Sequence, residues 1–240
     1  MFSAILWGGL AAVSLIIGFA LTKRQLSHRR IGMVMGFGAG ALLSAITYEL
    51  VPESELNGSG MAAAFMAGAL IFFAADWWID NRGGADRKDI KGAVPGGSGS
   101  AIFIGTLLDN IPESIILGMG LALGGAVSPA FLAAVFVSNL PEGVAGTVNL
   151  QAAGRPRRSI FWMWTVLVLI SAVASGVGYL IIYWLPAADG HLAQAFAAGA
   201  MLTMLADAMM PEAFENGGKL VGLFTVMGFL AAAILAVIEV

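Results

Sequence analysis

The sequence contains no cysteine, which excludes disulfides, thiolate zinc sites and iron–sulfur clusters. Charge is also scarce. Asp, Glu, Lys and Arg make up 11% of the 240 residues, against roughly 25% in a typical soluble domain. So few charges cannot cover the surface of a soluble globule of this size. The hydrophobic share of 59% and mean hydropathy of +0.87 suit lipid as the solvent instead. A net charge of −3 provides no basic field for nucleic acid, so no nucleic-acid partner is expected. Histidine occurs only twice, at His28 and His191. No phosphate-binding glycine loop is present, which argues against direct use of ATP.

What is abundant is apolar runs of membrane-crossing length. Crossing hydrocarbon takes roughly 20 mostly apolar helical residues, and eight such runs lie near 3–22, 31–51, 61–79, 101–123, 128–149, 160–185, 191–211 and 219–238. The expected fold is therefore an all-α polytopic membrane protein. A single transmembrane domain spans 1–240, with a cytoplasmic loop at 80–100 and a multi-pass place in the cell (inner) membrane. All twelve Lys and Arg fall in alternate loops: Lys23, Arg24, Arg29 and Arg30; Arg82, Arg87, Lys88 and Lys91; Arg155, Arg157 and Arg158; and Lys219. By the positive-inside bias those loops face the cytoplasm and both termini lie outside. The first run is a span, not a signal peptide, because its positive charge follows the apolar core. Trp77, Trp78, Trp162, Trp164, Tyr183 and Trp184 fit interfacial belts, and Asp76 beside Trp77 is expected at the same interface.

The spans repeat. Phe37-Gly-Ala-Gly-Ala-Leu-Leu-Ser resembles Phe196-Ala-Ala-Gly-Ala-Met-Leu-Thr, and the offset of 159 carries on to Pro52-Glu53 and Pro211-Glu212. At the centre, Asn110-Ile-Pro-Glu113 matches Asn139-Leu-Pro-Glu142 at an offset of 29. Partners an odd number of spans apart cross the membrane in opposite senses. The pattern is that of inverted repeats, spans 1–3 against 6–8 and span 4 against 5, with a site near the midplane. Gly32, Gly36 and Gly40 also form a small-residue face suited to close helix packing.

Carboxylates inside the spans carry the chemistry. Asp109, Asn110 and Glu113 occupy the middle of the fourth run, and Ser138, Asn139 and Glu142 the middle of the fifth. Each intramembrane acid costs roughly 2.5–3.5 kcal/mol to insert, and no span offers Lys or Arg in compensation. A cation, a proton or a water-filled path must provide it. Steps of three and four residues put Asp109, Asn110 and Glu113 on one helix face, and Asn139 and Glu142 repeat the three-residue step. Pro112 and Pro141 free the carbonyls of Leu108 and Val137, which is tolerated at membrane depth where backbone lines a cavity.

Asp109-Asn-Ile-Pro-Glu-Ser114 and Ser138-Asn-Leu-Pro-Glu-Gly143 resemble the paired fourth- and fifth-span signatures of the ZIP (Zrt/Irt-like) family of divalent metal transporters. The resemblance covers nearly the whole chain and is to the bacterial type. It implies uptake of zinc, manganese, iron or a similar ion such as cadmium into the cytoplasm. The metal is cargo; no resident cofactor is implied. The implied ligands are Asp109, Asn110, Glu113, Asn139 and Glu142, with the glutamates able to bridge two ions. An elevator-like motion against a scaffold that includes spans two and seven is implied as well. The sequence departs from the family at Asp109, where His is usual, at Ser114, where Gly is usual, and at Ser138, where His or Gln is usual. An all-oxygen site is harder than a nitrogen-bearing one and favours Mn²⁺, Fe²⁺ or Mg²⁺, although carboxylates also bind Zn²⁺.

Further acids mark the approaches. Glu49, Glu53 and Glu55 are expected near the outer mouth, and Asp207, Glu212 and Glu215 near the inner one; Ser138 joins Glu49 and Asp207 as a candidate pathway residue. Met33, Met35, Met201, Met204, Met209 and Met210 suit packing better than thioether ligation. The expected partners are divalent cations, the lipid bilayer and a second copy in a homodimer. The alternative is a membrane-embedded metal-dependent enzyme such as a lipid-phosphate hydrolase. It fits less well, because a phosphatase needs a basic residue at its phosphate and a zinc hydrolase needs histidines.

Overall fold

The fold is seen in a computed structural model that describes residues 1–24, 26–50, 59–84, 99–124, 128–184 and 187–238. Glu53, Glu55, Arg87, Lys88 and Lys91, each singled out above, lie outside the described residues. The described residues are helical and contain no strand. The helices are α1 (Phe2–Leu21), α2 (His28–Ala45), α3 (Ser59–Ile79), α4 (Gly99–Gly124), α5 (Pro129–Ala152), α6 (Arg157–Trp184), α7 (Ala187–Met204), α8 (Met210–Gly217) and α9 (Val221–Ile238). Seven described stretches are long and apolar enough to cross a membrane. The last, Gly190–Ile238, is 49 residues long and holds both of the final expected runs. It breaks at Gly218, whose φ of 68° a side chain would resist.

Two apolar cores organise the bundle. Ala12 and Leu15 of α1, Ile102 of α4, Leu150 of α5, and Ile160, Trp164 and Leu167 of α6 build one. The other gathers α2, α7 and α9 around Met35, Leu42, Met201 and Met204, and includes Phe72 of α3. Both cores draw on α4 and α5, which therefore form the seam. The methionines Met35, Met201, Met204 and Met209 are packing residues within the second core.

Small residues set the closest approaches. The Gly32, Gly36 and Gly40 face of α2 lies against Gly217, Val221 and Thr225, so α2 runs along the end of α8 and along α9. A Cβ on Gly40 would strike the carbonyl of Thr225, and one on Gly228 the carbonyl of Phe37. The pair α7–α3 repeats this contact, with Gly199 on the carbonyl of Phe65 and Gly68 on that of Phe196. Gly40 and Gly199, like Phe37 and Phe196, are 159 apart, the offset of the sequence repeat. A second feature obeys the same offset: α2 ends in a wide π-helical turn at Ile46–Leu50, and α7 in one at Leu205–Met209.

Basic residues gather where these helices meet at one end. Arg157, at the start of α6, donates to the carbonyl of Phe19 and to Thr22 Oγ1, both at 3.1 Å, and lies over the Phe19 ring. It thereby satisfies the carbonyl end of α1, where a cation is favoured. Arg155 lies against Gly99, the first residue of α4. Arg82 stacks on the Trp78 ring with 3.6 Å to its centroid. Asp76 differs from the interfacial expectation. Its neighbours Trp77 and Trp78 are exposed, whereas Asp76 is 3% exposed, because it follows Phe72 by one turn on the inward face of α3.

Matched glycine replacements test this packing. Gly199→Ala forces backbone apart and is expected to cost about 1–3 kcal/mol. Gly120→Ala meets nothing within 4 Å and is expected to be neutral, or stabilising by up to about 1 kcal/mol through helix propensity. Unfolding of both variants in the same detergent gives the comparison.

Candidate metal centre

Every residue expected at the centre of the bundle is buried: Asp109, Asn110 and Glu113 on α4, and Ser138, Asn139 and Glu142 on α5. Both helices run on through their prolines, Pro112 and Pro141. Only residues 125–128 separate α4 from α5, and the two pack together, so they run antiparallel. Thr106 Oγ1 lies 3.8 Å from the position of a Cβ on Gly146, which sets their relative height. One turn farther on, Asn110 comes level with Glu142. Almost another turn brings Glu113 level with Asn139. Glu113 and Glu142 thus each lie level with an amide-bearing position of the other helix.

Hydrogen bonds decide which amide atoms remain for a ligand. Asn110 Nδ2 donates to the carbonyl of Thr106 at 2.9 Å, so Oδ1 is the side-chain atom this bond leaves for a ligand. Asn139 Oδ1 is buried and accepts no hydrogen bond, an arrangement costly unless a cation or water engages it. No group of three or more His, Asp or Glu side chains converges as a metal cluster among the described residues. The candidate donor set is therefore one of mixed carboxylate and amide oxygens. Neither histidine lies on α4 or α5: His28 opens α2, and His191 sits in the first turns of α7.

The candidate pathway residues are distributed differently. Ser138 Oγ donates to the carbonyl of Val135 at 2.9 Å, and the backbone of Ser138 meets Gly38. It belongs to the α2–α5 contact. Glu49 is half-buried in the Ile46–Leu50 turn, where Ser128 Oγ donates to its Oε1 at 2.8 Å. Ser128 also caps α5 by accepting from the amide of Phe131, so Glu49 is tied to the start of the helix that carries Asn139 and Glu142. Asp207 is exposed in the matching Leu205–Met209 turn, Glu215 is exposed, and Glu212 is half-buried.

No family model matches the chain. It is 28% identical over 201 residues to a putative zinc transporter of Arabidopsis thaliana, a match covering 80% of this chain and 31% of that protein. It is 29% identical over 154 residues to the zinc transporter ZupT of Chlorobium phaeovibrioides, covering 60% of this chain and 52% of ZupT. These relatives bear out the resemblance to the ZIP family. The chain spans about a third and about half of the lengths of the two proteins it matches. Both are named as transporters and neither as an enzyme.

The ZIP-like signatures do not disclose the support beneath them. Trp164 Nε1 donates to Thr147 Oγ1 at 2.9 Å, and Thr147 Oγ1 donates to the carbonyl of Gly143 at 2.6 Å. All of this is buried. The indole abuts Gly146, where a Cβ would meet Trp164 Cη2 at 2.8 Å. One residue after Glu142, the backbone of α5 is thus held from α6. The signal available in the sequence was Gly146-Thr147 one turn past Glu142, but nothing in it pointed to Trp164, which was read as a belt residue.

A double-mutant cycle measures this support. Thr147→Val keeps the shape and strands the indole N–H, at an expected cost of about 1–3 kcal/mol. Combined with Trp164→Phe, the losses are expected to fall short of additive, because no stranded donor remains. Unfolding free energies in detergent provide the readout; strict additivity would show that the bond couples nothing.

Proposed function

We propose that this protein carries divalent metal cations across the membrane, into the cytoplasm, by alternating access through the α4–α5 site. The observation that carries this reading is the buried pair of Asn-x-Pro-Glu segments on two packed helices, with Asn139 Oδ1 accepting no hydrogen bond. Amide and carboxylate oxygens are hard donors suited to divalent ions. No Lys or Arg occurs on α4 or α5. The similarity to two proteins named as zinc transporters supports the same cargo class. In this reading Asp109, Asn110, Glu113, Asn139 and Glu142 contact the ion, while Glu49 and Asp207 serve its approach and departure.

The finer architecture is proposed with it. Eight spans follow if Gly190–Ile238, far longer than the roughly 20 residues one crossing needs, turns at Gly218. Termini outside and a place in the inner membrane follow from the one-sided Lys and Arg, a pattern supported by Arg155 and Arg157 meeting α4 and α1 at one end of the bundle. Transport in this reading moves α1, α4, α5 and α6 against α2, α3, α7 and α9. One core is built from α1, α4, α5 and α6 alone, which supports treating these four as a unit, while the other joins α2, α3, α7 and α9 to residues of α1, α4 and α5. A homodimer is part of the proposal too, and cross-linking in native membranes tests it.

Reconstitution in liposomes tests the function. Uptake of Zn²⁺, Mn²⁺, Fe²⁺, Cd²⁺ and Mg²⁺ is measured for the parent and for Glu113→Gln and Glu142→Gln. Each substitution is expected to lower uptake by about tenfold or more, since even outer partners of metal ligands are worth that much. Undiminished uptake in both would overturn the site, and no uptake of any metal by the parent would overturn the function.

Donor hardness has its own test. Asp109→His introduces a nitrogen donor and is expected to raise Zn²⁺ uptake relative to Mn²⁺. An unchanged ratio would remove Asp109 from the ion's contacts.

A further inference from the structure

An apolar cavity of about 570 Å³ opens between α3, α7 and the half of α4 that runs on from the site. Phe72 of α3, Ile111, Pro112 and Ile115 of α4, and Phe196 and Ala197 of α7 form much of its wall, and none of the described residues that line it has a polar or charged side chain. Water is a poor occupant, because an ordered water needs two to four polar partners. The wall offers none from side chains, and its helical backbone groups bond within their own helices apart from the Leu108 carbonyl that Pro112 frees, a single partner. Emptiness is no better: packed interiors contain few voids larger than one water molecule, and lining atoms without neighbours lose their dispersion contacts outright.

The surroundings identify what remains. Ile71 lines the cavity, and with Leu70 and Phe73 it belongs to a strongly exposed apolar face of α3. In a chain of membrane-crossing helices, hydrocarbon covers such a face. The α4 wall runs from Leu108 to Met119, roughly 16 Å at about 1.5 Å per residue. That is the depth of one leaflet, half of the roughly 30 Å hydrocarbon core.

We propose that this cavity holds one acyl chain of a bilayer phospholipid, entering sideways from the surrounding leaflet. The chain lies against Ile111 and Pro112, the two residues between Asn110 and Glu113. It fills the space between the helix that carries half of the metal site and the α3–α7 pair. While it is there, α4 cannot close on α7. The inference rests on the chain spanning a membrane and not on the transport reading.

Photolabelling tests it with the full-length protein in liposomes. The probe is a phosphatidylcholine carrying a diazirine in mid-chain, and labelled residues are mapped by peptide mass spectrometry. Label is expected within Leu108–Met119 of α4 as well as at Leu169 and Val173, which face outward on α6. Ala64→Phe and Ala193→Phe fill the cavity from α3 and from α7. Each is expected to cut the α4 label about fivefold or more, because the ring takes the chain's volume, while the α6 label stays constant. Label on α6 with none on α4 would overturn the proposal, as would α4 label undiminished in both filled variants. Loss of metal uptake in the parent would not touch this result, so failure of the transport reading and failure of the lipid site are told apart.

Discussion

Three carboxylates held where hydrocarbon surrounds the protein are the constraint on which the rest of the structure depends. Asp109, Glu113 and Glu142 are tolerable only if lipid never reaches them, and the arrangement of helices follows from that demand. The helices that carry them, α4 and α5, take part in both apolar cores. Around them stand α1, α2, α6 and α7. The outer helices can afford exposed Leu, Val and Phe because their lipid-facing surface has no polar group to hide.

Close approach is what makes this enclosure compact. Glycines let α2 lie on α9 and α3 on α7 at backbone distance, and another set does the same for the inner helices. Gly18 and Gly143 bring α1 onto α5, while Gly178 and Gly118 bring α6 onto α4. The outer pairs keep the repeat offset faithfully. The inner pairs do not: the contacts on α4 and α5 are related by 25 residues and the Asn-x-Pro-Glu segments by 29. The difference of four is about one helical turn, roughly 6 Å. The two Asn-x-Pro-Glu segments consequently stand at different heights relative to the helices that clasp them, although the sequence alone makes them look equivalent.

Much of the fold was legible because composition and spacing report directly on the solvent. Apolar runs identified the helices, and the repeated Phe37 and Phe196 segments proved to be the places where α2 and α7 meet their partners. The central polar residues were found because amides and carboxylates stand out in apolar runs, and the structure buries all of them. What stayed hidden was direction around each helix axis. In a helix apolar on every side, periodicity does not separate a lipid face from a protein face. That is why Asp76 looks interfacial in the sequence and why Trp164 looks like a belt residue. The π-helical turns at Ile46–Leu50 and Leu205–Met209 leave no mark in composition at all.

The position of Trp164 has an optical consequence. The chain has six tryptophans, and Trp7, Trp77, Trp78, Trp162 and Trp184 are all exposed on the outside of the bundle, whereas Trp164 is fully enclosed. A contact quencher carried by the lipid or dissolved in water reaches five indoles and spares the sixth. The emission that survives comes from a ring lying on Gly146, one turn from Glu142. The native chain thus contains a single spectroscopically isolated chromophore beside its candidate metal centre, with no label to attach and no residue to replace.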